Sequence, residues 1–230
     1  MKFLRIAWKW IKYGTLFFFC STILSVITYR FINPPATPLM IIRVFQQALS
    51  GEQIKLAKDW VSLNKISPEL QLAVVASEDN RFLEHHGFDF EAIEKAKDYN
   101  EKKKGKKMRG ASTLSQQTAK NVYLWPQRSW LRKGLEVYFT TLIELIWNKK
   151  RIMEVYLNIA EMGDGRYGAE KAAQDYFNKP ASKLTASEAA LLAAILPNPL
   201  KWNPAKPTQY LLSRQQWILW NMGNIGKLEY

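Results

Sequence analysis

The sequence predicts a mostly α protein: one helical domain carried on a single N-terminal membrane-spanning helix. Three observations point there. A charge-free apolar run stands near the N-terminus. Beyond residue 50 the apolar residues recur mostly with helical spacing, behind repeated helix-opening signals. No hairpin signal stands out, and no repeat of about 20–50 residues is visible.

The apolar run comes first. Tyr13 to Tyr29 is 17 residues without a charge, rich in Phe, Leu, Ile and Val, between Lys12 and Arg30. A spanning helix needs roughly 17–25 such residues. Lys2, Arg5, Lys9 and Lys12 precede the run, whereas only Arg30 and Arg43 follow closely. That asymmetry predicts the N-terminus inside and the rest outside. Thr28-Tyr29-Arg30-Phe31 is too bulky for a signal-peptidase site, and Phe17-Phe18-Phe19 before Cys20 is unlike a lipoprotein cleavage box, so an uncleaved anchor is expected. Asn33-Pro34-Pro35-Ala36-Thr37-Pro38 reads as an extended linker. Leu39 to Phe45 is apolar again, and the sequence does not decide between the membrane surface and the domain. The chain thus divides into a basic tail (1–12), an anchor (13–32), a juxtamembrane linker (33–50) and a folded domain (51–230).

Further elements follow in order. Ser67-Pro68 is an N-cap with proline at the first helical position, opening a helix to about Asn80 with Leu70, Leu72, Val74 and Val75 as its apolar stripe. Thr113-x-x-Gln116 has the form of a capping box and opens a helix through Asn121. Trp130 to about Asn158 is helical in two parts, broken near Asn148. Thr185-x-x-Glu188 is a second capping box. The stretch Ala189–Leu196 behind it is apolar all round, as in a helix buried at a domain centre, and Pro197 and Pro199 end it.

With 230 residues and 47% hydrophobic content the chain can build one core, and two enzyme domains are not expected. The formal charge of +13 marks a surface that attracts anions: nucleic acid, acidic lipid headgroups or phosphorylated substrates. It is uneven: Lys95 to Arg109 holds eight basic residues against Asp98 and Glu101. The single cysteine, Cys20, permits neither an intrachain disulfide nor a Cys-x-x-Cys zinc site.

Four clusters carry chemistry. In Glu78-Asp79-Asn80-Arg81-Phe82-Leu83-Glu84-His85-His86-Gly87, Glu78 lies over Val74 and Val75 on a helix. A carboxylate held against apolar surface is a candidate acid or base. The plainer reading has Glu78 or Asp79 capping the helix or pairing with Arg81. His85 and His86, the only histidines, make a poor metal pair, so a structural role is expected. In the second cluster, Gly110 to Asn121, a helix N-terminus suits an anion. Gln116, Gln117 and Lys120 share roughly one face there, with amides for sugar hydroxyls and an ammonium for a phosphate. Arg128 follows in the next loop; Trp125 and Trp130 flank it and suit either a membrane interface or the core. In the third, Arg132 and Lys133 lie four and three residues before Glu136. This is either a helical ion pair worth a few tenths of a kcal/mol, on the order expected of exposed pairs, or a cationic patch, oriented by a carboxylate, for a pyrophosphate. The fourth, Lys150 to Asn158, reads mainly as scaffold.

Together these clusters, in this order, resemble the monofunctional biosynthetic peptidoglycan transglycosylases of glycosyltransferase family 51, a module also found in bifunctional penicillin-binding proteins. The residues that carry the resemblance are Glu78-Asp79-x-x-Phe82-x-x-His85-x-Gly87, Gly110-x-Ser112-Thr113-x-x-Gln116-Gln117-x-x-Lys120-Asn121, Arg132-Lys133-x-x-Glu136 and Glu154-x-Tyr156-Leu157-Asn158. Tyr167-Gly168, Ala172-Ala173-x-x-Tyr176-Phe177, Ser187-Glu188-Ala189-Ala190 and Leu196-Pro197-Asn198-Pro199 extend it to the C-terminus.

The resemblance implies a lysozyme-like, two-lobed, mostly helical fold. It implies a growing glycan on undecaprenyl pyrophosphate as donor, lipid II as acceptor, and Glu78 as general base for an inverting transfer that makes a β-1,4 glycan. Lys120, Arg128, Arg132 and Lys133 would neutralise the leaving pyrophosphate, with Glu136 orienting them or helping to hold a divalent cation (Mg or Mn). Asp79, Ser112, Thr113, Gln116, Gln117 and Asn121 complete the implied site. No cofactor is otherwise called for. The implied partners are these lipid-linked substrates, membrane lipids and cell-wall synthesis or division proteins, with no nucleic acid. The implied place is the outer side of the bacterial cytoplasmic membrane. The Lys95–Arg109 run carries two readings, a flap that draws in anionic headgroups or a solvated charge run.

Two decoys fall away. Gly163-x-Gly165-x-x-Gly168 has dinucleotide spacing but no surrounding βαβ pattern. Ser62-x-x-Lys65 lacks any Lys-Thr-Gly partner. Two rival functions remain. A glycan-cleaving enzyme on the same scaffold needs two carboxylates across the bond rather than a cationic patch. A non-enzymatic binder of anionic lipid would depend on the lysine run and not on Glu78.

Overall fold

The computed structural model describes residues 2–103 and 110–230; the second part of the basic run, 104–109, lies outside the described residues. Among these the chain is mostly helical. After α1 (Lys2–Phe31) and α2 (Pro38–Leu49) come β1 (Ala57–Lys58), α3 (Pro68–Glu78), α4 (Phe90–Lys102), α5 (Leu114–Tyr123), α6 (Trp130–Ile146) and α7 (Lys149–Ile159). β2 (Glu161–Gly163), β3 (Arg166–Tyr167), α8 (Ala169–Phe177), α9 (Ala186–Ile195) and α10 (Gln209–Ile225) complete it. The basic run from Lys95 to Lys102 therefore begins on α4.

The capping signals act as they read. Ser67 accepts from the Glu69 N–H at 3.2 Å with Pro68 behind it. Thr113–Gln116 and Thr185–Glu188 form reciprocal capping boxes on α5 and α9. The break expected near Asn148 is Asn148 itself, which caps α7 by accepting from the Arg151 N–H at 2.8 Å.

Three departures have physical reasons. α1 starts at Lys2, well before the charge-free run, because nothing ahead of Gly14 breaks a helix and basic side chains can carry their heads away from apolar surface. Its stretch Arg5–Phe31 is long and apolar enough to cross a membrane, with only 6% of its most apolar window buried by the protein. The segment after the linker is α2, whose Met40 and Gln47 are buried and whose Arg43 meets Glu161 at 3.2 Å, so it packs on the domain. Finally, a hairpin exists where none stood out. β2 and β3 pair antiparallel, and β1 joins β3 in parallel to give the order β1-β3-β2. The Asp164-Gly165 turn is its one signal. The strands are too short to show alternation. Gly165, at φ +67°, has no room for a side chain, since a Cβ there would stand 2.6 Å from the Lys55 carbonyl oxygen.

One continuous core joins two helical groups. In one, α3, α9 and α10 pack on one another, and α9 is buried from Ala189 to Ile195. In the other, α5 lies between α6 and α7. Asn158, fully buried at the end of α7, pairs with both the N–H and the carbonyl of Val61 at 2.9 Å.

The C-terminal half of α1 docks on the second group. Thr22 and the Tyr138 hydroxyl are 2.8 Å apart, and the Trp147 indole donates to the Val26 carbonyl at 2.8 Å. Arg151 donates to the carbonyls of Tyr29 and Ile32, both at 2.9 Å from Nη2. These are terminal carbonyls that a helix cannot satisfy internally. Arg151→Ala should therefore cost about 2 kcal/mol, the scale of hydrogen bonds to a charged group. Thermal unfolding in detergent should show the loss, and limited proteolysis should cut residues 32–37 faster than in the wild type.

Candidate active site

The site grows from the ends of two helices. Glu78 is the last residue of α3 and Asp79 is its C-cap, with φ −162° and ψ 76°. Asp79 is buried, and its carboxylate faces inward. It accepts from the Leu114 N–H at 2.8 Å, at the N-terminus of α5, and from His85 Nε2 at 2.9 and 3.1 Å. His85 Nδ1 accepts from the Gly87 N–H at 3.1 Å, which leaves the imidazole proton on Nε2, facing Asp79. The expected structural role of His85 is thus specific: it closes the loop between α3 and α4. Gly87 has φ +93°, and a Cβ there would lie 2.9 Å from Thr140 Cγ2. The Thr113 hydroxyl donates to the Gly87 carbonyl at 2.7 Å.

Glu78 itself is half-buried at the edge of this frame. Its Oε2 accepts from Gln117 Nε2 at 3.0 Å, and its Oε1 from the Ser77 hydroxyl at 3.2 Å. The second amide proton of Gln117 reaches the Ser112 carbonyl at 3.4 Å, and the Tyr156 hydroxyl donates to its Oε1 at 3.2 Å. Gln116 is buried, and its Oε1 accepts from the Thr113 N–H at 3.0 Å within the capping box. Thr113, the carbonyl oxygen of Gln116 and the amide of Gln117 are therefore engaged within the protein. Ser112 and Arg128 are exposed, and Asn121 is half-buried.

Lys120 connects the two charged regions. It feels the charges of Glu136, Arg132, Glu78 and Lys133 together. Burial pushes its ammonium below the usual lysine range, and Glu136 partly opposes that. Glu136 is buried in α6. Arg132 Nη1 meets its Oε2 at 2.6 Å, and Lys133 Nζ meets its Oε1. Two cations thus occupy both oxygens of this carboxylate. No group of three or more His, Cys, Asp or Glu side chains stands together among the described residues. The donor set around Glu136 suits cation orientation rather than a divalent metal. Arg132 Nε is a buried donor with no protein partner among the described residues.

Some contributors were not among the site residues expected from the sequence. Tyr156 lies in the stretch read as scaffold, yet it fixes Gln117. Arg214 on α10 donates to the Ser77 hydroxyl at 3.2 Å from a remote part of the chain. Glu144 accepts from Lys149 at 2.8 Å and from the Ser115 hydroxyl, and Lys149 also holds the His85 carbonyl at 2.6 Å.

A helical domain on a membrane-type helix, with the half-buried Glu78 carboxylate in the field of Lys120 and its neighbouring cations, has the makings of an enzyme site. The comparison with known proteins narrows it. The family profile described as Transglycosylase matches residues 46–223, and the chain belongs to that family. It is 61% identical over 212 residues to a biosynthetic peptidoglycan transglycosylase of Bacteroides thetaiotaomicron, covering 92% of this chain and 85% of that protein. A protein of the same description from Bdellovibrio bacteriovorus is 54% identical over 211 residues, covering 92% and 84%. One from Yersinia pseudotuberculosis is 52% identical over 220 residues, covering 95% and 91%.

The Asp79 clamp generates a test. Asp79→Ala should leave the Leu114 N–H and His85 without their buried acceptor and cost roughly 3 kcal/mol. Chemical denaturation measures this; a loss below about 1 kcal/mol, the scale of one neutral hydrogen bond, would deny the clamp its structural weight.

Proposed function

We infer that the protein is a peptidoglycan glycosyltransferase that polymerises lipid II, with Glu78 as the general base. The observation that carries the reading is the placement of one half-buried carboxylate, held by two donors, next to the Lys120–Arg132–Lys133 cations.

The chemistry follows from that placement. The 4-hydroxyl of the acceptor sugar gives its proton to Glu78 as its oxygen attacks the anomeric carbon of the donor. The bond from that carbon to the pyrophosphate oxygen breaks, and the pyrophosphate leaves with the electron pair. Attack from the opposite face inverts the centre and yields the β-1,4 linkage. The leaving group needs charge neutralisation more than a proton, which is what Lys120, Lys133, Arg132 and the exposed Arg128 offer. Ser112 and Asn121 remain as contacts for the sugars. Asp79, Thr113, Gln116 and Gln117 act by holding the site, and Glu136 acts by aligning its cations.

The membrane reading fits the same geometry. α1 is the anchor, with its N-terminus cytoplasmic and the domain on the outer side of the cytoplasmic membrane. Trp130, Leu131, Val137 and Leu145 expose an apolar face of α6, the helix against which α1 docks. That face rests on the bilayer, so lipid-linked substrates reach the site without leaving the membrane. Trp130 serves this face, while Trp125 packs on the core. Cell-wall synthesis proteins are the natural protein partners of such an enzyme.

Purified protein incubated with labelled lipid II should give a ladder of glycan polymers on a gel. Glu78→Gln should reduce polymer about 10²–10⁴-fold, the usual worth of a positioned base, while remaining folded. Equal polymer from both would remove Glu78 from the role. Binding to lipid II vesicles without polymer from either would favour an anionic-lipid binder. Release of soluble fragments from finished glycan would favour cleavage.

Lys120 adds a pH test. Its folded-state pKa lies below the ordinary 10.5, so its positive charge is lost at lower pH than that of an exposed lysine. The kcat/KM profile, which reports the free enzyme, should fall on an alkaline limb centred below 10.5. Lys120→Arg should move that limb upward. An unmoved limb would assign it to another group.

A further inference from the structure

Glu78 stands at an awkward place for an anion. It is the last residue of α3, where the terminal carbonyls and the negative end of the helix dipole disfavour a carboxylate. Two chains of hydrogen bonds answer this, each reaching it from a different helix.

The first begins at Tyr156 on α7, 2% exposed. Its hydroxyl donates to Gln117 Oε1 at 3.2 Å. Burial and the charges of Glu78 and Asp79 raise its pKa well above the ordinary value, so it stays a donor. A donor at that end fixes which way the Gln117 amide points. Its NH2 must then face Glu78 Oε2, at 3.0 Å.

The second begins at Arg214 on α10. Its Nη2 donates to the Ser77 hydroxyl at 3.2 Å, and the guanidinium lies 5.7 Å from the centre of the Trp217 ring. A guanidinium has no acceptor. Arg214 thus leaves the Ser77 proton available for Glu78 Oε1, which accepts it at 3.2 Å. Each carboxylate oxygen is gripped once and keeps a lone pair for the acceptor hydroxyl.

We propose that Tyr156 and Arg214, acting through Gln117 and Ser77, are positioning residues that aim the Glu78 carboxylate for proton abstraction. The proposal rests on Glu78 being the base. It goes further in giving that base a two-armed support, drawn from α7 and α10 and acting through Gln117 and Ser77. A base misplaced by about 1 Å can lose on the order of 100-fold in rate.

The test is steady-state kinetics on lipid II with the full-length protein in detergent, alongside thermal unfolding. Tyr156→Phe and Ser77→Ala should each lower kcat about 10–100-fold, within the cost of misplacement, with KM within about threefold of wild type and folding retained. Ser77→Thr keeps the hydroxyl and should recover most of the rate lost in Ser77→Ala. Arg214→Met should resemble Ser77→Ala, because it cuts the same arm one bond earlier. Glu78→Gln is run beside them. If it matches the wild type, the base assignment fails and the relay with it. If it is inactive while Tyr156→Phe and Ser77→Ala turn over at the wild-type rate, the base stands and the relay is overturned. A loss in these variants that appears in KM alone, or only with a fall in unfolding temperature, also overturns it, since binding or stability would then explain the effect.

Discussion

Asp79 joins two helix ends that have opposite electrical needs. It caps α3, and its carboxylate receives a backbone N–H from the first residue of α5, where the positive end of a helix dipole welcomes it. The same carboxylate takes the His85 proton, and His85 in turn holds the Gly87 N–H. The loop from Asp79 to Gly87 is thereby tied to α5 at both ends, with the Thr113 hydroxyl on the Gly87 carbonyl as the second tie. The placement of Glu78 depends on this join. Glu78 precedes Asp79 by one residue, so fixing Asp79 on α5 brings Glu78 to Gln117. Gly87 completes the argument: a side chain there would collide with Thr140 on α6 and push the loop away.

The charges follow a second constraint. Buried ions are costly unless paired, and this protein pairs them so that the surplus is positive. On α6 one buried carboxylate, Glu136, serves two cations. Lys120, half-buried, enters the same field, and its desolvation is a condition that an arriving anion relieves. The region between Glu78 and α6 thus combines a half-buried carboxylate with three cations that share the one buried carboxylate of Glu136. Such an arrangement favours an anionic ligand.

How much of this was legible from residue order depends on the range of the interaction. The capping boxes of α5 and α9, the Ser67–Pro68 start of α3 and the Asn148 break are local, formed within four residues, and they read correctly. The ion pairs of Arg132 and Lys133 with Glu136 are also local and were visible as helical spacing. The glutamines show the limit. Gln116 and Gln117 looked like outward amides because they share a face with Lys120. The capping box turns Gln116 back on its own helix, and Gln117 is claimed by Tyr156, which only folding brings near. The β2–β3 hairpin escaped for a different reason: strands of two or three residues carry too little periodicity to register, although Asp164-Gly165 marked the turn.

The sequence by itself determined the capped starts of α3, α5 and α9, the break between α6 and α7, the apolar N-terminal run and the cationic surplus, because each rests on composition or on neighbours within one or two turns. Tertiary structure alone decided what the side chains do. It turned Asp79 inward, drew Tyr156 and Arg214 onto the partners of Glu78, packed α2 on the domain and docked the C-terminal half of α1 on α6 and α7 through Trp147 and Arg151. The physical reason is that a side-chain hydrogen bond has a reach of about 3 Å. Residue order sets that distance only along one helix. Between helices it is set by how the core packs.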